Sequence, residues 1–169
     1  TSKHRRATIY IDTMALRFVS CCELVLVRIT DSTPTTSIDT VSGSIPVQLV
    51  GVAGINARGL DGSWHYFELP DAHIARAAKV ELYPVQFAFA VLGARHAFDD
   101  QNLIRFPDGS CIPFASTAAG FPLEVVYGPC IPGAFVHHPV APPVRLHACA
   151  VAPNLKLVWH RLGFPYDAQ

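Results

Sequence analysis

The sequence predicts a fold built from β-strands and hairpins, and three observations carry the prediction. Short runs of β-branched and aromatic residues alternate apolar with polar positions: Ile45, Val47 and Leu49 alternate with Pro46, Gln48 and Val50, and residues 64–69 alternate again. Two segments, Leu60-Asp61-Gly62-Ser63 and Pro107-Asp108-Gly109-Ser110, have the composition of tight turns between strands. Gly51, Gly54 and Gly59 interrupt the first alternating region in the way bulges do.

Residues 8–11 (Thr-Ile-Tyr-Ile) read as a short buried strand running into Asp12. Residues 17–29 are mostly apolar. Their β-branched content suits a strand, while the spacing of Phe18, Cys21, Cys22 and Val25 suits a helical turn, so both remain open. Residues 30–37 form a polar loop rich in turn formers. Residues 45–69 then predict one long hairpin with glycine bulges. Residues 71–79, with four alanines, suit a helical turn or a loop, and residues 80–93 are apolar nearly all round and are expected to be buried. Strands over 103–106 and 111–114 flank the Pro-Asp-Gly turn, and 121–127 supplies a last strand. Between Pro129 and Pro153 lie six of the 14 prolines and no acidic residue. Such a run loses backbone donors and predicts an extended wrapping segment. The division expected is therefore a domain over 1–128 and an irregular proline-rich extension over 129–169.

The chain of 169 residues is half apolar and only 15% charged, with a mean hydropathy of +0.29, which suggests a face covered by a partner. Its 13 basic and 13 acidic side chains balance, unlike the basic footprint of a nucleic-acid binder; Lys3-His4-Arg5-Arg6 reads as a solvated tail. Five scattered cysteines, two of them adjacent, make no disulfide framework, and apolar stretches are broken well short of the ~20 residues a spanning helix needs. No signal peptide is visible. A protein of a reducing intracellular compartment, with no membrane span, is expected.

Candidate chemistry is sparse. Cys130, His137, His138, His147 and Cys149 lie close in sequence but match no compact zinc spacing, so no metal ligand is assigned and no cofactor is expected. Asp99-Asp100, Asp61 and Asp108 read as turn residues, and Trp64, Tyr66 and Phe67 as packing. No nucleophile elbow organises a serine triad.

Asp12, at the end of an apolar strand, is left as the one candidate acid. Ile11-Asp12-Thr13-Met14-Ala15 resembles the strand-Asp-Ser/Thr-Gly-Ala motif that opens the protease region of copia-type retrotransposon polyproteins. In the same order, Pro46-Val47-Gln48-Leu49-Val50-Gly51-Val52, Glu68-Leu69-Pro70-Asp71, Leu82-Tyr83-Pro84-Val85, His96-x-Phe98-Asp99-Asp100 and Phe106-Pro107-Asp108-Gly109-Ser110 resemble its later segments. Trp159-His160-Arg161-Leu162-Gly163-Phe164-Pro165 resembles the box opening the pre-integrase zinc region, one residue short and with Phe164 in place of a histidine; no zinc is assigned there. The likeness spans roughly four-fifths of the chain.

The resemblance implies an all-β, retropepsin-like small closed barrel with a hairpin flap. It implies Asp12 and Thr13 as catalytic residues, the first as acid-base and the second as a lock between paired loops. It implies Val50, Gly51, Val52 and Gly54 as a mobile flap over a polypeptide substrate. The function expected is an aspartic endopeptidase of retrotransposon origin, active as a homodimer with one aspartate from each subunit. Met14 stands where that family has glycine. Together with the apolar composition and the proline-rich tail, Met14 supports a second expectation: a non-catalytic, co-opted subunit whose partner is another protein.

Overall fold

The computed structural model describes residues 3–140. The candidate strand at the start is β1 (Arg5–Asp12), buried at Ile9 and Ile11. The segment left open between strand and helix contains both: β2 (Val19–Ser20), a 3-10 turn at Glu23–Val25, and β3 (Leu26–Asp31). β4 (Ser37–Thr40) and β5 (Gly43–Pro46) pair with each other as a separate hairpin. The long hairpin is β6 (Leu49–Arg58) and β7 (Trp64–Ile74), so residues 45–46, expected to begin it, belong to β5. Its turn closes where predicted: the Gly59 N–H donates to the Ser63 carbonyl at 2.8 Å, and Gly62 takes φ 81°.

β7 continues past Pro70 to Ile74, although a loop or helical turn was expected from Asp71 onward. Proline has no N–H for a ladder, and the register slips there: Gly51 faces Ala72 and Ala53 faces Leu69, with Asp71 at φ 53°. This bulge lets one strand run on past a proline.

β8 (Leu82–Pro84) runs into α1 (Val85–Leu92), which Gly93 ends in the left-handed conformation at φ 68°. The apolar run over 80–93 is only half buried, contrary to expectation: Ala88 and Leu92 reach the core, while Val85, Phe87 and Val91 pack at its edge. An eight-residue helix lying on a sheet has one inward stripe, whatever its composition. β9 (Arg95–Phe98), β10 (Asn102–Arg105) and β11 (Cys111–Pro113) form a three-stranded antiparallel sheet whose Pro-Asp-Gly turn places Gly109 at φ 87°. β12 (Pro122–Tyr127) and β13 (Phe135–His137) are the last strands among the described residues. β13 lies in the expected irregular extension, yet it pairs in parallel with β7; residues 141–169, including His147, Cys149 and the terminal box, lie outside the described residues.

The main sheet has the order β13-β7-β2-β8-β1-β12-β6-β3, and β7 also pairs with β6. Hydrogen bonding therefore runs from β7 through β2, β8, β1, β12 and β6 and returns to β7. The described fold is all-β apart from one helix. Inside the circuit, Phe18 meets Tyr127 edge-on at 6.1 Å, and Phe67 meets Tyr83 at 6.2 Å and Phe106 at 5.8 Å. Among the described residues no helix is long and apolar enough to cross a membrane.

Phe67 is fully buried and joins the two sheets through its contact with Phe106. Phe67→Ala is expected to lower unfolding free energy by about 3–5 kcal/mol, read from the urea midpoint at unchanged m-value.

Candidate functional site

Asp12 owes its position to the two neighbours of β1. On one side β12 runs antiparallel, from Arg5 opposite Tyr127 to Tyr10 opposite Pro122. On the other, β8 runs parallel, and its last pair sets Asp12 opposite Pro84. Pro84 is also the cap of the helix that follows, so the ladder stops there and the chain leaves the sheet at the acid. The Met14 N–H donates to Asp12 Oδ1 at 2.7 Å, fixing one carboxylate oxygen in a local turn.

Thr13 and Met14 project into solvent, as does Leu16; Met14 is 84% and Leu16 77% exposed. The φ of Met14 is not positive, since Asp71 is the one described non-glycine residue with positive φ. The backbone at this position therefore makes no demand for glycine.

Asp12 lies on the walls of two clefts. One, of about 390 Å³, is bounded by Tyr10, Thr13, Leu82 and Phe121. The other, of about 570 Å³, runs beneath the β4–β5 hairpin and is bounded by Met14, Leu16, Arg17, Ile38 and His73. The hairpin tip carries Val41, fully exposed.

The expected flap residues are elsewhere. Val50, Gly51, Val52 and Gly54 lie within β6, between β7 and β3 or β12; Gly51, Val52 and Gly54 are buried. A Cβ on Gly51 would collide with the Arg28 carbonyl oxygen, and one on Gly54 with the Gly128 carbonyl and the Val27 side chain. These glycines serve close strand approach rather than mobility. Ser37, Ile38 and Asp39 of the β4–β5 hairpin share the larger cleft with Asp12, and residue patterning missed this hairpin because its side chains are mostly exposed and polar. Its available signal was Val41-Ser42-Gly43, a turn between two short β-branched arms, with Gly43 at φ 128°.

Next to the site, the Tyr83 hydroxyl on β8 lies 2.8 Å from His96 Nε2 on β9. Burial pushes the His96 pKa down to about 4 and raises that of Tyr83. At the second cleft, burial and then the Arg17 charge lower the pKa of His73, with Asp71 opposing. Asp99 and Asp100 form an exposed turn, Asp99 Oδ1 accepting the Gln101 N–H at 3.1 Å. Of the cysteine–histidine group, His137 turns inward against His65 while His138 is exposed. Among the described residues no group of three or more His, Cys, Asp or Glu is placed to hold a metal, and the four described cysteines are free thiols.

Compared with protein-family models, curated proteins and solved structures, the chain matches none. What the site does is therefore argued from its own geometry.

The His96 shift has a defined sign. Its folded pKa lies below the unfolded value of 6.5, so the unfolded chain binds more protons between about pH 6.5 and 4, and stability falls as pH drops through that window. Equilibrium denaturation at stepped pH is expected to show the loss, and His96→Gln, which keeps a hydrogen-bond partner for Tyr83 but does not titrate, to reduce it.

Proposed function

We propose that this chain is a retropepsin-like aspartic endopeptidase domain that works as a homodimer, Asp12 of each subunit meeting its mate across a twofold axis. The observation that carries the reading is Asp12 itself: it ends a strand paired on both sides, is anchored by the Met14 N–H, and lies between two clefts. The returning circuit of strand pairings supports a small closed barrel of the retropepsin kind. The β4–β5 hairpin, with Val41 at its tip, takes the part of the flap and would close over an extended peptide in the larger cleft. Exposed Met14 and Leu16 beside the acid supply the apolar surface a subunit contact would cover.

In such a pair two close carboxylates share one proton. The ionised carboxylate takes a proton from water as its oxygen bonds to the peptide carbonyl carbon, while the protonated carboxyl gives its proton to the carbonyl oxygen. Collapse of the gem-diol returns that proton to the carboxylates as the amide nitrogen accepts the other and the C–N bond breaks. The two steps regenerate the shared proton. The pair titrates as a unit, and cleavage needs it singly protonated, which favours mildly acidic solution.

Met14 favours a second reading, in which the same fold is a non-catalytic interaction subunit. Its ordinary backbone removes the conformational objection to catalysis, but its long side chain stands where two subunits would approach. The two readings separate on assay of the full chain with a peptide library at pH 5–7. The protease reading expects a dimer in sedimentation and cleavage that Asp12→Asn reduces by at least about 10³-fold, with Met14→Gly raising or preserving the rate. No cleavage from either the native chain or Met14→Gly would leave the interaction subunit.

A further inference from the structure

We infer that His65 and His137 form an acid-opened clasp that holds β13 against β7. Both imidazoles are buried, and His65 Nδ1 lies 2.9 Å from His137 Nε2. They sit on the same face of paired strands, Phe135 lying opposite His65 and His137 opposite Phe67. His137 also stacks on Phe106 with ring centroids 3.7 Å apart.

At that separation the nitrogens share one hydrogen. In the neutral pair, one N–H donates to the lone pair of the other ring. A first added proton leaves this intact, because an imidazolium still donates to a neutral imidazole. A second places two N–H groups face to face without an acceptor, adding like-charge repulsion in a buried setting. The clasp is therefore closed with no extra proton or one, and open with two.

The surroundings set where this happens. Two Asp-Gly-Ser turns converge on the pair. From the β6–β7 turn, Asp61 Oδ1 lies 3.5 Å from His65 Nε2, and Ser63 Oγ lies 3.2 Å from the same nitrogen. From the β10–β11 turn, Asp108 Oδ2 lies 3.9 Å from His137 Nδ1, and Ser110 Oγ lies 3.5 Å from His137 Nε2. Hydrogen bonds from Ser63 and Ser110 hold both carboxyls below the usual range, so they stay charged as the pH falls and favour an added proton on the rings beside them. Burial opposes protonation of His137, and so do the neighbouring His65 and His138. Arg58, whose Nη1 donates to the Gly62 carbonyl at 2.7 Å, adds another positive charge on the β6–β7 turn.

What the clasp holds is small. β13 is three residues long, Phe135 and Val136 are exposed, and the next described tie is the Val140 N–H donating to the Val91 carbonyl at 2.8 Å. Opening would free residues 135–140 while the strand circuit stays paired, a local rather than global event. The inference does not rest on the protease reading.

Hydrogen exchange of the full chain, with protease nicking of residues 135–140, tests it at stepped pH. Relative to the intrinsic rate at each pH, the protection of the Phe135, Val136 and His137 amides should fall about tenfold per pH unit below the second protonation of the pair, while that of β1 and β12 holds. Asp108→Asn removes a charge that favours the imidazolium, so the midpoint should move to lower pH. His137→Phe, which retains an aromatic ring over Phe106, should abolish the step. Exchange of β13 only together with β1 and β12 at every pH would overturn the clasp, and so would a midpoint unmoved by Asp108→Asn. Should His137→Phe not fold, the Asp108→Asn arm decides alone.

Discussion

The placement of the candidate acid depends on one constraint, the short parallel ladder of β1 with β8 that ends at Asp12 opposite Pro84. β1 pairs with β12 from Arg5 to Tyr10 and with β8 from Tyr10 to Asp12, the last pair setting the acid opposite Pro84. Pro84 immediately precedes α1, so β8 ends there as well. Two chain segments leave the sheet together, and clefts remain on either side of the point they leave. Asp12 is held rigidly up to its Cα and coupled through one oxygen to the Met14 N–H. That is the condition a positioned carboxylate needs, and it follows from strand pairing rather than from any long-range charge.

Much of this was legible in the residues, and what was not has physical reasons. The β6–β7 hairpin and the β10–β11 turn declare themselves because Asp-Gly-Ser turn chemistry and period-2 burial act over a few residues. Asp12 was visible as the acid that ends an apolar strand. The β4–β5 hairpin was missed because a hairpin exposed on both faces needs no apolar alternation. β2 and β13 are two and three residues long and pair in parallel with β7, which only the folded chain can specify. Gly51 and Gly54 show the ambiguity of glycine: the same residue type permits a mobile loop or the close approach of two backbones. The partnership of His65 with His137, 72 residues away, leaves no local trace.

The histidines and the candidate aspartate pull against each other on the pH axis. His73, His96 and His137 each sit where burial disfavours the charged ring. A carboxylate pair that must retain a proton works best in acid, whereas these interior rings are most stably housed when neutral. The fold therefore loses stability as the pH falls, and buried imidazoles set how acid a solution it tolerates.

The pairing of β1 with β12 also bears on how the molecule is made. Arg5 lies opposite Tyr127, so the first strand has to wait for nearly the whole domain before it acquires that neighbour. On the ribosome, an apolar strand bearing Ile9 and Ile11 stays open along that edge until residue 127 has cleared the exit tunnel. Nascent chains in that interval present an unpaired edge to other strands, which the arrival of β12 closes.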